Sequence, residues 1–369
     1  MSDSGKTPPL GGLLHLRGNA LDKGAPVALP ITTSSMYHLP GLPDGSDFYG
    51  RAGNPTWAHL EHMLAHLEGA PCLAFPSGMA AIAAALFATV TSGARLLVPS
   101  DGYYVTRRLS QRFLANLGVT VEERPTASYT EGGFEGFDVV FLETPSNPGL
   151  DMVDLAAVAK AVRAAGGITI ADNTTLTPLG QRPLDLGVDI VVASDTKAMG
   201  GHSDLLMGHA ASRNEDLMQA MEDWRIMSGS IPGPHAAWLL HRGLETLEVR
   251  YARMCESAGL LAERLADHPA VKMIRYPGLT QDPAHQLAKQ QCASFGFLIS
   301  LTLASEEKAE TFINSCPLIR PATSFGGVHT SAERRARWGD EVSPAFVRLS
   351  VGVEPVDELW EAISASLHA

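Results

Sequence analysis

Lys197 stands in the string D-T-K-A-M-G-G-H-S-D, directly after the apolar run Ile190-Val191-Val192 and the polar break Ser194-Asp195-Thr196. A lysine at the end of a buried strand loses hydration, so the neutral amine gains and the pKa falls. Such an amine can attack an aldehyde and form a Schiff base. The hydroxyls of Ser194 and Thr196 beside it suit a phosphate. An aldehyde and a phosphate together describe pyridoxal 5'-phosphate (PLP), and PLP chemistry sets further demands. The pyridine nitrogen needs a carboxylate that keeps it protonated and the ring an electron sink. Asp172, closing the apolar run 168–171 one βα unit upstream, fits that need. Tyr103 offers a flat stacking partner. Ser77-Gly78-Met79 predicts a helix start whose amides and dipole favour a phosphate. Arg348, in F-V-R-L-S-V-G, sits in an apolar strand where an unpaired cation is costly. It either takes a substrate carboxylate in bidentate fashion or closes an internal ion pair.

The elements that must position these groups are legible as a pattern. Asn54 and Pro55 read as N-cap and first residue of a helix whose apolar stripe (Trp57, Leu60, Met63, Leu64, Leu67) stops at Gly69. Strands at 96–99, 139–143, 168–171 and 190–192 alternate with helices at 80–90 and 155–165, which predicts a mainly parallel sheet with helices on both faces. Asp101, Glu143, Asp172 and Ser194 all fall at strand ends, where such sheets gather their active groups. Beyond Pro234 a long helix over 238–266, short strands around 271–276 and 297–303 and a last helix after Pro355 predict a smaller C-terminal α/β domain. The expected organisation is an arm over 1–48 reaching a neighbouring subunit, a large cofactor-binding domain over 49–233 and a small domain over 234–369.

Composition excludes several classes. A net charge of -12 leaves no basic block for nucleic acid, and Arg334-Arg335-Ala336-Arg337, flanked by acids, reads as a solvated helix face. No apolar run approaches the ~20 residues that span a bilayer. Met1 to Pro9 lacks the apolar core of a signal peptide, and the four cysteines form no C-x-x-C pair, so reduced thiols and a cytoplasmic location are expected. His59, His62 and His66 share one helix face, but without an H-E-x-x-H string that face reads as surface or interface and no metal is expected. Neither G-x-G-x-x-G nor a Walker loop occurs in the strand–helix unit.

The strings Y-G-R-A-G-N-P-T, F-P-S-G-M-A-A, E-T-P-S-N-P, D-N-T, S-D-T-K-A-M-G-G-H-S-D, S-F-G-G-V-H and V-R-L-S-V-G run in order over about residues 25 to 366. In that order they resemble the Cys/Met-metabolism family of PLP enzymes, of fold-type I, and D-G-Y-Y-V-T-R-R and R-R-A-R-W-G-D resemble its bacterial cystathionine γ-lyases. The resemblance implies a homotetramer with shared sites and α,γ-elimination of cystathionine, with a β-lyase, a γ-synthase or a PLP-binding scaffold as alternatives. It implies that Lys197 holds the cofactor and moves protons, that Asp172 pairs with the pyridinium, that Tyr103 stacks and protonates the leaving group, and that Asn147 lies near the ring's 3-oxygen. Gly78, Met79, Ser194 and Thr196 would hold the phosphate, with Tyr49 and Arg51 arriving from a neighbouring subunit. Arg348 would take the α-carboxylate near Ser324, and Arg108 the far carboxylate. His329 stands where many γ-lyases carry a glutamate, Trp57 replaces an arginine and Thr175 a phenylalanine, so the substrate end departs from the pattern.

Overall fold

The computed structural model describes residues 10–42 and 48–368; the polar stretch 1–9 and residues 43–47 of the expected arm lie outside the described residues. The first sheet comprises Cys72–Phe75 (β1), Arg95–Pro99 (β2), Thr120–Arg124 (β3), Val139–Glu143 (β4), Ile168–Asp172 (β5), Ile190–Ala193 (β6) and Gly208–Ser212 (β7), in the order β1-β7-β6-β5-β4-β2-β3. β2 to β6 pair in parallel, and β7 runs antiparallel to both neighbours, β1 and β6. The sheet is therefore mainly parallel, as the βα alternation predicts. Neither β3 nor β7 is legible in the sequence: T-V-E-E-R is a half-polar edge strand, and G-H-A-A-S owes its place to small residues under a helix.

Except at the edge strand β3, both faces of this sheet are buried, the usual state of parallel strands. Val139, Phe141, Ile190 and Val192 join one core with helix Gly78–Thr89 and helix Glu215–Ser228. Val140, Leu142 and Ala171 join the opposite core with helix Leu155–Ala164. We label the helices Pro55–Glu68 (α1), Gly78–Thr89 (α2), Tyr104–Leu109 (α3), Leu155–Ala164 (α4) and Glu215–Ser228 (α5). In α1 the Asn54 side chain accepts the Thr56 N–H at 2.8 Å, Pro55 opens the helix and Gly69 closes it at φ 66°, the left-handed region glycine tolerates. Its stripe Leu60, Leu64 and Leu67 is fully buried, and each such side chain contributes ~1.5–3 kcal/mol by leaving water.

The second sheet comprises Met273–Arg275 (β8), Leu298–Thr302 (β9), Arg320–Pro321 (β10), Ser331–Arg334 (β11) and Phe346–Ser350 (β12), in the order β10-β11-β12-β9-β8, covered by helix Val356–His368 among others. The single helix expected over 238–266 is two, Pro234–Leu244 (α6) and Leu247–Ala266 (α7). Tertiary contact breaks it. Gly243 presses on the backbone that follows Lys197, where a Cβ would stand 2.7 Å from Gly200 O. Buried Arg250 folds back to donate to Gly243 O (2.7 Å), Ala198 O (2.8 Å) and Thr246 Oγ1 (3.1 Å). Gly243 O at the end of α6 and Ala198 O in the turn after Lys197 thus satisfy a cation that has no carboxylate partner among the described residues.

Candidate active site

The carboxyl ends of β4, β5 and β6 and the amino end of α2 open on a cavity of about 340 Å³, lined by Gly78, Tyr103, Asn147, Asp172, Lys197 and Arg348 among others. The parallel strands place three loops at one edge, and the small sheet closes the cavity from the other side through β12 and residues 323–325.

Lys197 lies in the turn after β6. Its Nζ donates to Ser324 Oγ at 3.0 Å and stands 5.2 Å from the centre of the Phe325 ring. Burial, with the Arg348 guanidinium adding to it, lowers the amine to about 8 despite the opposing pull of Glu333 and Asp172. Asp172 ends β5 beside Glu143 of β4. Its Oδ1 accepts the Thr174 N–H at 2.9 Å and hydroxyl at 2.5 Å, while Oδ2 takes no hydrogen bond from the described residues. Burial pushes this carboxyl up, and the Thr174 donors only partly oppose it. A desolvated carboxylate with a spare oxygen is completed by a cationic N–H, so the residue fits a pyridinium.

Glu143, which the sequence reading left as a strand end, ties two loops of the cavity together: its Oε2 accepts the Tyr103 N–H at 2.6 Å and its Oε1 the Asn147 N–H at 2.9 Å. Burial, and then Asp172, lifts it to about 8. Burial raises the Tyr103 phenol, which therefore keeps its proton at neutral pH. Thr174, also missed, links Asp172 to the next strand by accepting the Ser194 N–H at 2.8 Å.

At the other end, Ser77 Oγ accepts the Ala80 N–H at 3.1 Å and caps α2, leaving the Gly78 and Met79 amides without partners among the described residues. The approach is close: a Cβ on Gly78 would stand 2.6 Å from Ser194 Cβ. Ser194 and Thr196 both line the cavity, and the Thr196 hydroxyl bridges to the Met207 backbone at 3.2 Å. Arg348, buried in the middle of β12, donates through Nη1 to Asn147 Oδ1 (2.6 Å) and through Nη2 to Thr323 O (2.8 Å) and Glu333 Oε1. It lines the cavity and closes an internal ion pair at once, and Nε–H remains without a partner among the described residues. Burial lowers it to about 10, so it stays charged at neutral pH.

The substrate end departs from expectation. Arg108 and His329 are exposed and neither lines the cavity. Trp57 is buried in α1 with Arg225 5.9 Å above its ring, whereas Thr175 does line the cavity. Tyr49 and Arg51 are exposed; Arg51 donates to Ile226 O at 2.9 Å and neither reaches this cavity. The basic run 334–337 is not a solvated face. Strand β11 and the turn Ala336–Trp338 roll Arg335 inward, where it lines the cavity and pairs with Glu333 (2.8 Å) and Asp340 (2.6 Å). Arg334 pairs with Glu306 at 3.0 Å and Glu310 at 2.5 Å. Among the described residues no group of three His, Cys, Asp or Glu could hold a metal ion, and no helix is long and apolar enough to cross a membrane.

The sequence profile of the Cys/Met metabolism PLP-dependent enzymes matches residues 14–368. A Streptomyces coelicolor protein provisionally named cystathionine gamma-lyase is 44% identical over 88% of this chain and 85% of its own length. The cystathionine gamma-lyase of Bacillus subtilis is 35% identical over 94% of this chain and 96% of its own. A solved cystathionine gamma synthase from Xanthomonas oryzae superposes with a TM-score of 0.91 at 31% identity, covering 97% of each chain.

Proposed function

We propose that this chain, which belongs to the Cys/Met metabolism family of PLP-dependent enzymes, is a carbon–sulfur lyase that cleaves L-cystathionine by α,γ-elimination to cysteine, 2-oxobutyrate and ammonia. The observation that carries the reading is the buried trio of depressed amine, half-satisfied carboxylate and buried guanidinium, Lys197, Asp172 and Arg348, around one cavity. The γ-lyase choice is supported by the two relatives carrying that name.

In this reading Asp172 would hold the ring N–H, Tyr103 would pack on the ring face and Asn147 would meet the 3-oxygen, while the free amides of Gly78 and Met79, with Ser194 and Thr196, would receive the phosphate. When bound, PLP supplies an electron sink for the pair left at the substrate's Cα. Arg348 holds the α-carboxylate beside Ser324. Lys197 Nζ takes the Cα proton, as an amine that burial has made neutral near pH 8 can do. Once that first proton has been passed on, Lys197 takes a second one from Cβ, whose bonding pair forms the Cβ=Cγ bond as the Cγ–S bond breaks. The Tyr103 hydroxyl, kept protonated by burial, or the Lys197 ammonium gives a proton to the departing γ-sulfur. Glu143 keeps Tyr103 and Asn147 in register through their amides.

Tyr49 and Arg51, exposed and away from their own cavity, are proposed to reach the phosphate of a neighbouring copy, with Arg108 and His329 at the same shared mouth, in a homotetramer. A reducing, cytoplasmic setting agrees with four free cysteines. Product analysis with L-cystathionine and PLP tests the reaction. Cysteine with 2-oxobutyrate is expected. Homocysteine with pyruvate would make the chain a β-lyase, the activity named for a 36% identical Bacillus subtilis relative. Turnover of homoserine esters alone would indicate γ-replacement, and a bound cofactor with no turnover a scaffold.

A further inference from the structure

The cavity carries two buried arginines, and the reaction as proposed uses one. Arg335 lines the same cavity as Arg348 but comes from the turn after β11 rather than from β12. The two guanidinium groups flank a single oxygen, Glu333 Oε1, which accepts from Arg335 Nη1 at 2.8 Å and from Arg348 Nη2. Arg335 Nε donates to Asp340 Oδ2 at 2.6 Å. Its remaining nitrogen, Nη2, has no partner among the described residues.

Charge does not balance at this wall. Among the described residues Arg335, Arg337 and Arg348 pair only with Glu333 and Asp340 as acids, so three cations meet two carboxylates. A buried guanidinium with a free N–H edge and a surplus of positive charge attracts one more anion. Beside it stands Trp338, whose indole N–H is held by Glu333 Oε2 at 2.9 Å and whose ring lines the cavity, an apolar wall suited to methylenes or a thioether sulfur. The residues that sequence comparison suggested for the far end of the substrate, Arg108 and His329, do not line this cavity.

We propose that Arg335 is a specificity-determining residue that receives the distal carboxylate of a dicarboxylic thioether amino acid, with Trp338 packing on the chain between the two carboxylates. This rests on the reading of the cavity as an amino-acid site with Arg348 on the α-carboxylate. The positive field of Arg335 also lowers the affinity of Lys197 and Tyr103 for protons, which places it within electrostatic reach of both. A chain ending in a methyl group leaves Nη2 without an acceptor, so selection is for the second carboxylate rather than for length.

The test is equilibrium binding, by calorimetry on the PLP-loaded protein, of two ligands that carry no leaving group: L-norleucine and L-2-aminopimelate. The wild type is expected to bind the aminopimelate at least about tenfold more tightly, the yield of one charge-assisted pair. Arg335→Gln is expected to bring the ratio to about one with norleucine affinity within about twofold of wild type. Equal weakening of both ligands would show that Arg335 only braces Glu333 and Arg348, and would overturn the assignment. So would a ratio of about one in the wild type, or an unchanged ratio in the variant. Where Arg335→Gln does not fold because Asp340 is left unpaired, the double variant R335M/D340A removes both charges and is held to the same two outcomes. Failure of both ligands to bind the loaded wild type would instead sink the amino-acid reading itself.

Discussion

Gly208→Ala is expected to loosen the grip on the cofactor through contact alone. A Cβ at Gly208 would stand 2.6 Å from Gly78 Cα, from Gly78 N and from Ser77 O, all of them backbone at the start of α2. Ordinary carbon contacts lie at about 3.5–4.0 Å, so the helix start must retreat by roughly 1 Å. Backbone cannot swing aside as a flexible side chain could. Gly208 is not in the left-handed region, so the penalty is steric and not conformational. Overpacking of this kind costs about 1–3 kcal/mol. The amides that retreat are those of Gly78 and Met79, assigned to the phosphate, and a misplacement of about 1 Å there is worth up to ~100-fold. The expected result is a PLP dissociation constant raised about 10- to 100-fold, or about 1.4–2.7 kcal/mol. Titration of cofactor-free protein with PLP, read by absorbance, measures it. Gly259→Ala is the control, because its nearest neighbour beyond the helix is Tyr276 Oη at 3.9 Å and alanine suits a helix interior. Wild-type PLP affinity in Gly208→Ala, together with an unchanged melting temperature of the cofactor-free form, would refute the reasoning.

Lys197→Ala should abolish turnover and the cofactor's visible band while the protein stays folded; measurable elimination by that variant would remove the lysine from its role. In cofactor-free wild type, the rate of PLP capture should climb with pH through a midpoint near pH 8 and level off above it, because burial sets the amine at about 8. A rate still rising at pH 10 would mean an ordinary lysine. His209 lies buried between Asp195 Oδ1 (2.7 Å) and Glu68 Oε1 (3.1 Å), and although burial opposes its charge the two carboxylates raise it to about 10. Its imidazolium therefore adds stability that is complete below the ordinary histidine value of about 6.5 and is lost as pH rises through about 10. His209→Ala leaves two buried carboxylates without their cation and should cost about 3–5 kcal/mol at pH 7, with a smaller deficit at pH 9.5. Denaturant unfolding at both values checks this, and a variant as stable as wild type at pH 7 would exclude a charged histidine.

What the sequence determined by itself was the part written in local strings and periods. Alternating βα runs predicted a mainly parallel sheet, and strand polarity predicted one cleft for the strand-end residues Asp101, Glu143, Asp172 and Ser194. The last three line the cavity, whereas Asp101 does not and instead accepts from Thr126. Capping residues and a glycine stop predicted α1 to the residue, since those signals act within one turn. What only the tertiary structure decided was set by contacts between distant segments. The break between α6 and α7 follows from Arg250 and Gly243 meeting the backbone after Lys197. Glu143 acts through the amides of Tyr103 and Asn147, and no spacing rule predicts a side chain reaching backbone donors on separate loops. Arg335 reads as a surface cation in R-R-A-R because its neighbours are charged. It becomes a wall of the cavity only when β11 pairs with β12 and brings Glu333 against Arg348.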